Sequence, residues 1–195
     1  ARPIVMQVSR YDRLKDPIGV IHAYKMIKDN IDCQLALVGS GASDDPESSE
    51  VLKEVQELAS DDPDIHIIFL PSGPKVSIET NALQRGATII LQKSLREGFA
   101  LTISEALWKG KPVIASAVGG IPLQVKHNIT GILVHSVEGT ASAIRRLLQN
   151  RELARKLGLN GREFVRQNFL ITRHMRDYLM LFLIVLAGKS GVIEI

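Results

Sequence analysis

The chain repeats one pattern along most of its length: a short apolar run is followed by a segment with helical periodicity. The runs are rich in β-branched residues and almost continuously apolar, which is typical of strands buried on both faces of a parallel sheet. Parallel strands need crossover connections, and helices in those connections cover the sheet. The sequence therefore predicts an α/β fold in which helices sandwich a parallel sheet. The predicted strands are residues 4–8, 35–38, 65–70, 88–91, 113–115 and 132–134.

The intervening segments carry helix start and stop signals. A predicted helix over residues 17–28 begins with a proline in its first turn, and two more, over 77–85 and 101–109, end before a glycine. Another, over 51–59, follows a polar cluster with several candidate capping residues. The last three predicted helices follow one another without a strand, over residues 140–148, 151–165 and 171–186.

Composition restricts the class of protein. Hydrophobic residues make up 45% and charged residues 23% of the 195 residues, which is typical of a soluble globular domain. The net charge of +3 suits an anionic ligand, but the basic residues form no block or stripe of the kind that binds nucleic acid. The five histidines lack the paired spacing of a metal site. Neither nucleic acid nor a protein-bound metal is therefore expected.

Cysteine content and hydropathy bear on the compartment. Cys33 is the only cysteine, which favours a reducing, cytoplasmic environment, and it is expected to pack beside a strand. The most apolar segment, residues 178–187, has about half of the ~20 residues that a transmembrane helix needs, so no membrane span is predicted. No secretory signal is expected, because Arg2 and Pro3 lead directly into the first strand.

The loop after the first predicted strand is rich in charge. It carries three cations from Arg10 to Lys15, just before a helix whose N-terminus also favours anions. Arginine presents a planar fork to phosphate oxygens, and lysine presents a mobile point charge. The loop is thus a candidate diphosphate clamp. The alternative is a charged surface turn in which Asp12 and Asp16 neutralise the cations.

The loop after the fourth predicted strand leads into a helix near Leu101, whose first amides have no acceptor within the helix. Gly98 lets the backbone approach a ligand closely, and those amides can hold a phosphate or a hydroxyl. Glu97 precedes the helix and Glu105 lies one turn into it, so the two carboxylates can bind hydroxyls on either side of a diphosphate. Alternatively, Glu105 is a solvated helix residue and Glu97 a favourable charge near a helix N-terminus.

A Gly119-Gly120 turn follows the fifth predicted strand. It fits a backbone that lies against a ligand, although paired glycines also simply reverse a chain. The loops after the first, fourth and fifth strands should meet at the carboxyl edge of the sheet, where ligands of α/β proteins bind.

In combination, these motifs resemble the donor half of a retaining glycosyltransferase of family four, one Rossmann-like half of a GT-B fold. The resemblance covers residues 3–169, and over residues 9–17 and 90–124 it is most similar to the archaeal trehalose synthases. Two departures are Ser9, where most members have glycine, and Ala87-Thr88, where an Ala-Asp pair is usual. The motifs that carry the resemblance are Arg10–Lys15, Glu97–Leu101, Glu105-Ala106, Gly110–Ala115 and Gly119-Gly120.

The resemblance implies a role for each matched residue. Arg10 and Lys15 would bind the diphosphate and Glu97 the hydroxyls of the transferred sugar, and these three form the implied catalytic set. Glu105 would bind the ribose. The other implied donor-binding positions are Gly98, Phe99, Ala100, Leu101, Thr102, Gly39, Gly41 and Ser72. The glycines at 39 and 41 fit equally well as turn residues.

The resemblance also implies an activity: retaining transfer of glucose from UDP-, ADP- or GDP-glucose to a sugar hydroxyl, with glucose as acceptor and trehalose as product. It implies no covalently bound cofactor, and any Mg²⁺ would be carried by the diphosphate. Residues 1–170 should form the nucleotide-sugar-binding domain, and residues 171–195 a helix and tail that pack toward an N-terminal acceptor domain. Without that domain the chain should transfer little. Its apolar last helix predicts self-association, in the simplest case as a homodimer.

Two alternatives stay open at this point. One is a relative of the sucrose or glycogen synthase type, with the same donor site and another acceptor, and the other is a non-catalytic nucleotide-binding module. A dinucleotide-binding oxidoreductase is disfavoured, because the loop after the first strand has none of the glycines of the Gly-x-Gly-x-x-Gly motif.

Overall fold

The structure is a computed structural model that describes residues 2–39, 46–70, 73 and 75–188. Within these residues, six parallel strands form one sheet in the order β3-β2-β1-β4-β5-β6. Every predicted strand is present and its ends shift by one residue at most. The strands are β1 (Ile4–Val8), β2 (Gln34–Gly39), β3 (Ile65–Phe69), β4 (Ile89–Gln92), β5 (Val113–Ser116) and β6 (Ile132–Val134).

All of the predicted helices are also present. The second begins at Pro46 rather than at residue 51, and the first ends at Lys25, followed by a 3-10 turn at Lys28–Asn30. The one-turn helix α5 was not predicted, because a single turn is too short to show a hydrophobic period. The α-helices are α1 (Pro17–Lys25), α2 (Pro46–Ala59), α3 (Val76–Gly86), α4 (Leu101–Trp108), α5 (Ile121–Gln124), α6 (Val137–Gln149), α7 (Arg151–Asn168) and α8 (Ile171–Leu186).

The sheet is buried on both faces, as its apolar strands predict. Successive side chains of a strand point to opposite faces. Val5 of β1 packs in a core with residues of α1, α2 and α6, whereas Met6 packs in a second core with residues of α4, α5 and α7. The predicted sandwich of helices around a parallel sheet is therefore confirmed.

The order of the strands places β1 and β4 side by side at the centre of the sheet. The chain runs outward from β1 through β2 to β3, then returns to β4 and runs the other way to β6. The loops after β1 and β4 therefore leave the sheet in opposite directions and open a crevice at its carboxyl edge. This topology joins the two charged loops that the sequence singled out.

The single cysteine lies away from this crevice. Cys33 is buried, as predicted, and burial raises the pKa of its thiol to about 11.

The last helix is the least buried element. None of the residues of α8 is buried within the described chain, and large apolar side chains from Tyr178 to Leu186 are exposed. Among the residues described, no helix combines the length and the apolarity needed to cross a membrane.

The packing of α7 on the turn after α4 depends on the absence of a side chain at Gly158. A Cβ there would overlap the carbonyl oxygen of Gly110. Gly139 in α6 is the matched contrast, because a Cβ there would come no closer than 3.4 Å to the Ser136 hydroxyl. We expect Gly139→Ala to raise the free energy of unfolding by about 0.4–1 kcal/mol, since alanine restricts the unfolded chain. Gly158→Ala should lower it by about 1–3 kcal/mol through overpacking.

Urea unfolding of the two variants and of the parent chain measures both values. The opposite signs are the test, because both substitutions replace a helical glycine by alanine. A Gly158→Ala chain as stable as the Gly139→Ala chain would contradict the close approach of α7 to the Gly110 turn.

Candidate functional site

A buried carboxamide in β1 fixes the two loops of the crevice to each other. Gln7 is 1% exposed, and its Nε2 donates to the carbonyl oxygen of Lys15 at 2.8 Å. Its Oε1 accepts from the amide of Lys93 at 2.9 Å. The amide of Leu95 also donates to the carbonyl oxygen of Leu14 at 2.8 Å. One polar side chain in an apolar strand thus sets the spacing of the loops after β1 and β4.

Lys15 and Glu97, which the sequence singled out separately, are in direct contact. The Nζ of Lys15 lies 2.5 Å from Oε2 of Glu97, and the two side chains are only 17% and 10% exposed. Ser94 donates its hydroxyl to the same carboxylate oxygen at 3.2 Å. Because few water molecules reach these groups, their interaction is stronger than that of an exposed ion pair. The loops after β1 and β4 are thus joined by a largely buried pair of opposite charges.

A second ion pair lies behind the first. The ammonium group of Lys93 contacts Oδ2 of Asp16, and both side chains are largely buried. Asp16 has a left-handed backbone, with φ of 46°, and its Oδ1 caps α1 by accepting from the amide of Gly19 at 3.0 Å. The alternative in which Asp16 neutralises the clamp cations is therefore wrong in detail, since Asp16 pairs with Lys93.

Arg10 behaves differently from Lys15. Its Nη2 lies 3.0 Å from Oδ2 of Asp12, as the surface-turn interpretation expects, and its side chain is 63% exposed. That oxygen of Asp12 is buried and makes no aligned hydrogen bond within the described part of the chain. Asp12 also caps the following 3-10 turn by accepting from the amide of Lys15 at 3.1 Å. The Arg10 side chain is thus exposed and is held by one poorly aligned ion pair.

The start of α4 presents its backbone to the crevice. Ala100 has a left-handed backbone, with φ of 66°, and within the described residues no side chain caps the helix. Thr102 donates its hydroxyl to Oε1 of the buried Gln92 at 2.9 Å, which fixes the first turn to the end of β4. A Cβ at Gly98 would meet no atom of the described chain within 4 Å. The position therefore has free space in front of its backbone.

The two glycines after β5 support this loop from behind. A Cβ at Gly119, whose φ is 53°, would overlap the carbonyl oxygen of Glu97, and one at Gly120 would overlap that of Gly98. The amide of Gly120 donates to the Gly98 carbonyl at 3.1 Å. Close packing against the Glu97 loop is therefore sufficient to require both glycines, and their presence is not evidence of a ligand at this turn.

Gln124 completes the support from α5. It is fully buried, its Nε2 donates to the carbonyl oxygen of Phe99, and its Oε1 accepts from the Ser104 hydroxyl at 2.5 Å. Sequence reasoning missed Gln7, Lys93 and Gln124. For Gln7 and Gln124 the signal is a polar residue among apolar neighbours, whereas Lys93 stands in a polar stretch and gives no such signal.

A cavity of about 660 Å³ extends from the crevice toward α3. Glu105 lines it and is exposed, and its Oε2 accepts from Nε2 of Gln84 at 3.4 Å. Burial lowers the pKa of Lys109, which lies on the same side of α4 and donates to Oε1 of Gln84 at 2.7 Å. The lining residues are Val8, Ser9, Gly39, Leu70, Gly73, Val76, Ser77, Thr80, Asn81, Thr102, Glu105 and Lys109.

The remaining predicted positions divide into two groups. Gly39 lines the cavity, and a Cβ there would overlap the carbonyl oxygen of Ser9, so close backbone packing alone requires a glycine. Gly41 and Ser72 lie outside the described residues.

Among the residues that are described, no group of three or more His, Cys, Asp or Glu side chains could hold a metal ion.

Comparison with known proteins identifies the family. Residues 1–164 match the family described as glycosyl transferases group 1. The chain is 48% identical over 182 residues to a trehalose synthase of Rubrobacter xylanophilus and 41% identical over 179 residues to a trehalose synthase of Thermococcus litoralis. These alignments cover 93% and 91% of this chain but 43% of each relative. The chain thus spans less than half the length of these relatives, and the similarity to archaeal trehalose synthases is confirmed.

Solved structures show the same fold. A sucrose-phosphate synthase from Thermosynechococcus elongatus aligns with a TM-score of 0.80 and 31% identity, over 96% of this chain and 46% of that one. The Anabaena protein HepE, solved in complex with UDP-glucose, aligns with a TM-score of 0.78 and 19% identity, over 92% of this chain and 49% of that one. The sheet is thus one half of a GT-B fold, and the chain belongs to the group 1 glycosyl transferases.

Proposed function

We propose that this chain is the donor-binding half of a retaining glucosyltransferase and holds a nucleoside-diphosphate glucose in the crevice between β1 and β4. The observation that carries the proposal is the buried contact between Lys15 and Glu97 beside the uncapped start of α4. A cation and an acid thus lie in the loops that lead to a helix N-terminus without a side-chain cap. Together they match a diphosphate with a sugar attached.

The diphosphate is the group that these residues stabilise during the reaction. As the glycosidic bond breaks, negative charge grows on the leaving phosphate oxygen. Lys15, the first amides of α4 and the exposed guanidinium of Arg10 stand where that charge develops, and such preorganised groups lower the barrier. Arg10 needs only to leave its poorly aligned partner Asp12 to reach a phosphate.

Glu97 and Glu105 mark the two ends of the donor. Glu97 binds hydroxyls of the glucose and does not act as a nucleophile, because the proposed retaining transfer needs no protein nucleophile. Glu105, on the wall of the 660 Å³ cavity, binds the ribose. The base then lies beyond it, toward α3 and the loop that contains Ser72. UDP-, ADP- and GDP-glucose are the candidate donors, and any Mg²⁺ would be carried by the diphosphate.

The acceptor site belongs to a separate N-terminal domain in this proposal. The similarity to trehalose synthases favours glucose as acceptor and trehalose as product. The similarity to a sucrose-phosphate synthase supports a second candidate, in which the same donor half serves another acceptor. Residues 171–195 would pack toward the acceptor domain, so that the chain alone binds the donor, transfers little glucose and self-associates through α8. A cytoplasmic location fits the use of nucleotide sugars.

Replacing Lys15 tests the diphosphate clamp. A charge-assisted hydrogen bond contributes about 1.5–3 kcal/mol, so Lys15→Ala should weaken binding of the preferred nucleoside diphosphate by roughly ten- to a hundredfold. Calorimetric titration with UDP, ADP and GDP, and then with their glucose derivatives, identifies the preferred ligand and measures the loss. Lys53→Ala, which removes an exposed lysine of α2, is the matched control and should leave the affinity unchanged. Equal affinities for the Lys15→Ala and parent chains would remove Lys15 from the site.

The Glu97→Gln variant distinguishes binding of the sugar from binding of the diphosphate. In the unbound chain Lys15 is engaged by Glu97, so a diphosphate must take Lys15 away from that carboxylate. Glu97→Gln should therefore leave the affinity for the nucleoside diphosphate unchanged or raise it. The same variant should weaken binding of the nucleoside-diphosphate glucose by about tenfold or more, because charged hydrogen bonds to the sugar are lost.

Calorimetry on both ligands measures this split, with the exposed Glu163→Gln of α7 as the control for loss of a carboxylate. If Glu97→Gln weakened both ligands equally, the carboxylate would not be the sugar-binding group.

A further inference from the structure

A second cavity lies at the opposite edge of the sheet from the donor crevice. Its volume is about 510 Å³, within the range of small-molecule sites. The starts of β1, β4 and β5 border it, as does the junction between α6 and α7. It shares no lining residue with the donor cavity. The cavity is therefore a separate feature of the fold that the proposed donor site does not use.

Basic side chains surround this cavity. Arg2, Lys111, Arg151 and Arg155 line it. Arg2 is neutralised by Asp32 at 2.5 Å and Asp64 at 2.6 Å. Within the described part of the chain, the other three contact no carboxylate. Three cations without an acidic partner in the described chain thus line one cavity.

Lys111 shows that this charge is uncompensated. Its ammonium donates to the carbonyl oxygen of Ala87 at 2.8 Å, which anchors it at the wall of the cavity. Burial is the main cause that lowers the pKa of Lys111, and the positive charge of Arg85 lowers it further. An ammonium that is partly buried and repelled by a neighbouring guanidinium gains more from a bound anion than a fully solvated lysine does.

The floor of the cavity is the apolar part of its lining. Pro3, Ile4, Leu147 and Leu148 contribute to it. Such a surface suits an uncharged body attached to the anion, because the body buries apolar area while the cations hold the charge. Arginine forks favour phosphate oxygens over a simple point anion. A small phosphate ester meets both conditions.

We propose that this cavity is a second ligand site, which binds a small phosphate ester through Lys111, Arg151 and Arg155. The phosphate lies at the mouth between the three cations, and the organic part lies on the apolar floor. The site is independent of the donor crevice and does not depend on the function proposed for it.

Two-dimensional NMR of the labelled chain tests the proposal, with inorganic phosphate, ribose 5-phosphate and phenyl phosphate as probes and neutral ribose as the control. Both esters should shift the amides of Ala87, Thr88 and Lys111. Phenyl phosphate, whose ring is apolar, should bind more tightly than inorganic phosphate by about tenfold, which is roughly 1.4 kcal/mol from the floor, and ribose 5-phosphate should gain less. Shifts confined to the donor crevice, or esters no tighter than inorganic phosphate, would overturn the site as proposed.

Matched double variants supply the second readout. The double variant Arg151→Gln and Arg155→Gln should weaken binding of the esters by tenfold or more and leave nucleoside-diphosphate binding unchanged. Lys53→Gln with Arg145→Gln removes the same charge from exposed positions outside the cavity and should change neither. Equal losses in the two double variants would mean that only net charge attracts the ester. Binding to vesicles of anionic lipid, without binding of the soluble esters, would also contradict a small-molecule site.

Discussion

The geometry of the crevice depends on the buried carboxamide of Gln7. Its two ends are hydrogen bonded to the loops after β1 and β4, the two loops that diverge at the centre of the sheet. A buried carboxamide is stable only when its donor and acceptor are both satisfied, so it fixes both loops at once. The contact between Lys15 and Glu97 follows from that spacing.

Support for the site comes mostly from backbone contacts. The carbonyl groups of Glu97 and Gly98 pack against the Gly119-Gly120 turn, and Gln124 holds the next carbonyl, that of Phe99. A backbone held in this way does not need to reorganise when a ligand arrives. The charged side chains of Lys15 and Glu97 are the adjustable parts, since they must exchange each other for phosphate and hydroxyl. Breaking a largely buried pair is costly unless new partners replace the old ones, which favours a ligand that satisfies both groups.

The sequence was sufficient to predict the fold because the strands are buried on both faces and are therefore apolar along their whole length. It also predicted that the loops carrying Lys15 and Glu97 would meet at the carboxyl edge of the sheet, although it did not predict the ion pair between the two side chains. It did not reveal Gln7 or Gln124, since one polar residue among apolar neighbours has many structural explanations, and it did not reveal Lys93, which lies in an ordinary polar loop. It left two interpretations of Gly119 and Gly120 open for a related reason: a glycine shows that space is lacking, but not whether a ligand or the protein's own backbone fills it.

The orientation of the Arg10 side chain could not be predicted from the sequence. The pattern of charges identified the loop, but the ion pair with Asp12 and the exposure of the guanidinium depend on side-chain orientation. The second cavity has no sequence motif, because Lys111 precedes β5 whereas Arg151 and Arg155 lie one turn apart in α7, and only the fold brings α7 to the start of β5.

In the proposed site, the uncapped start of α4 and the loop after β1 bind the diphosphate of a sugar nucleotide. Amide chemical-shift mapping with the most tightly bound of UDP-, ADP- and GDP-glucose locates that diphosphate. We expect the largest shifts at the amides from Gly98 to Thr102 and at Lys15, with smaller shifts along the cavity wall at Ser9 and Glu105. Largest shifts at the amino-terminal edge of the sheet, or no saturable shifts with any of the three nucleotide sugars, would contradict it.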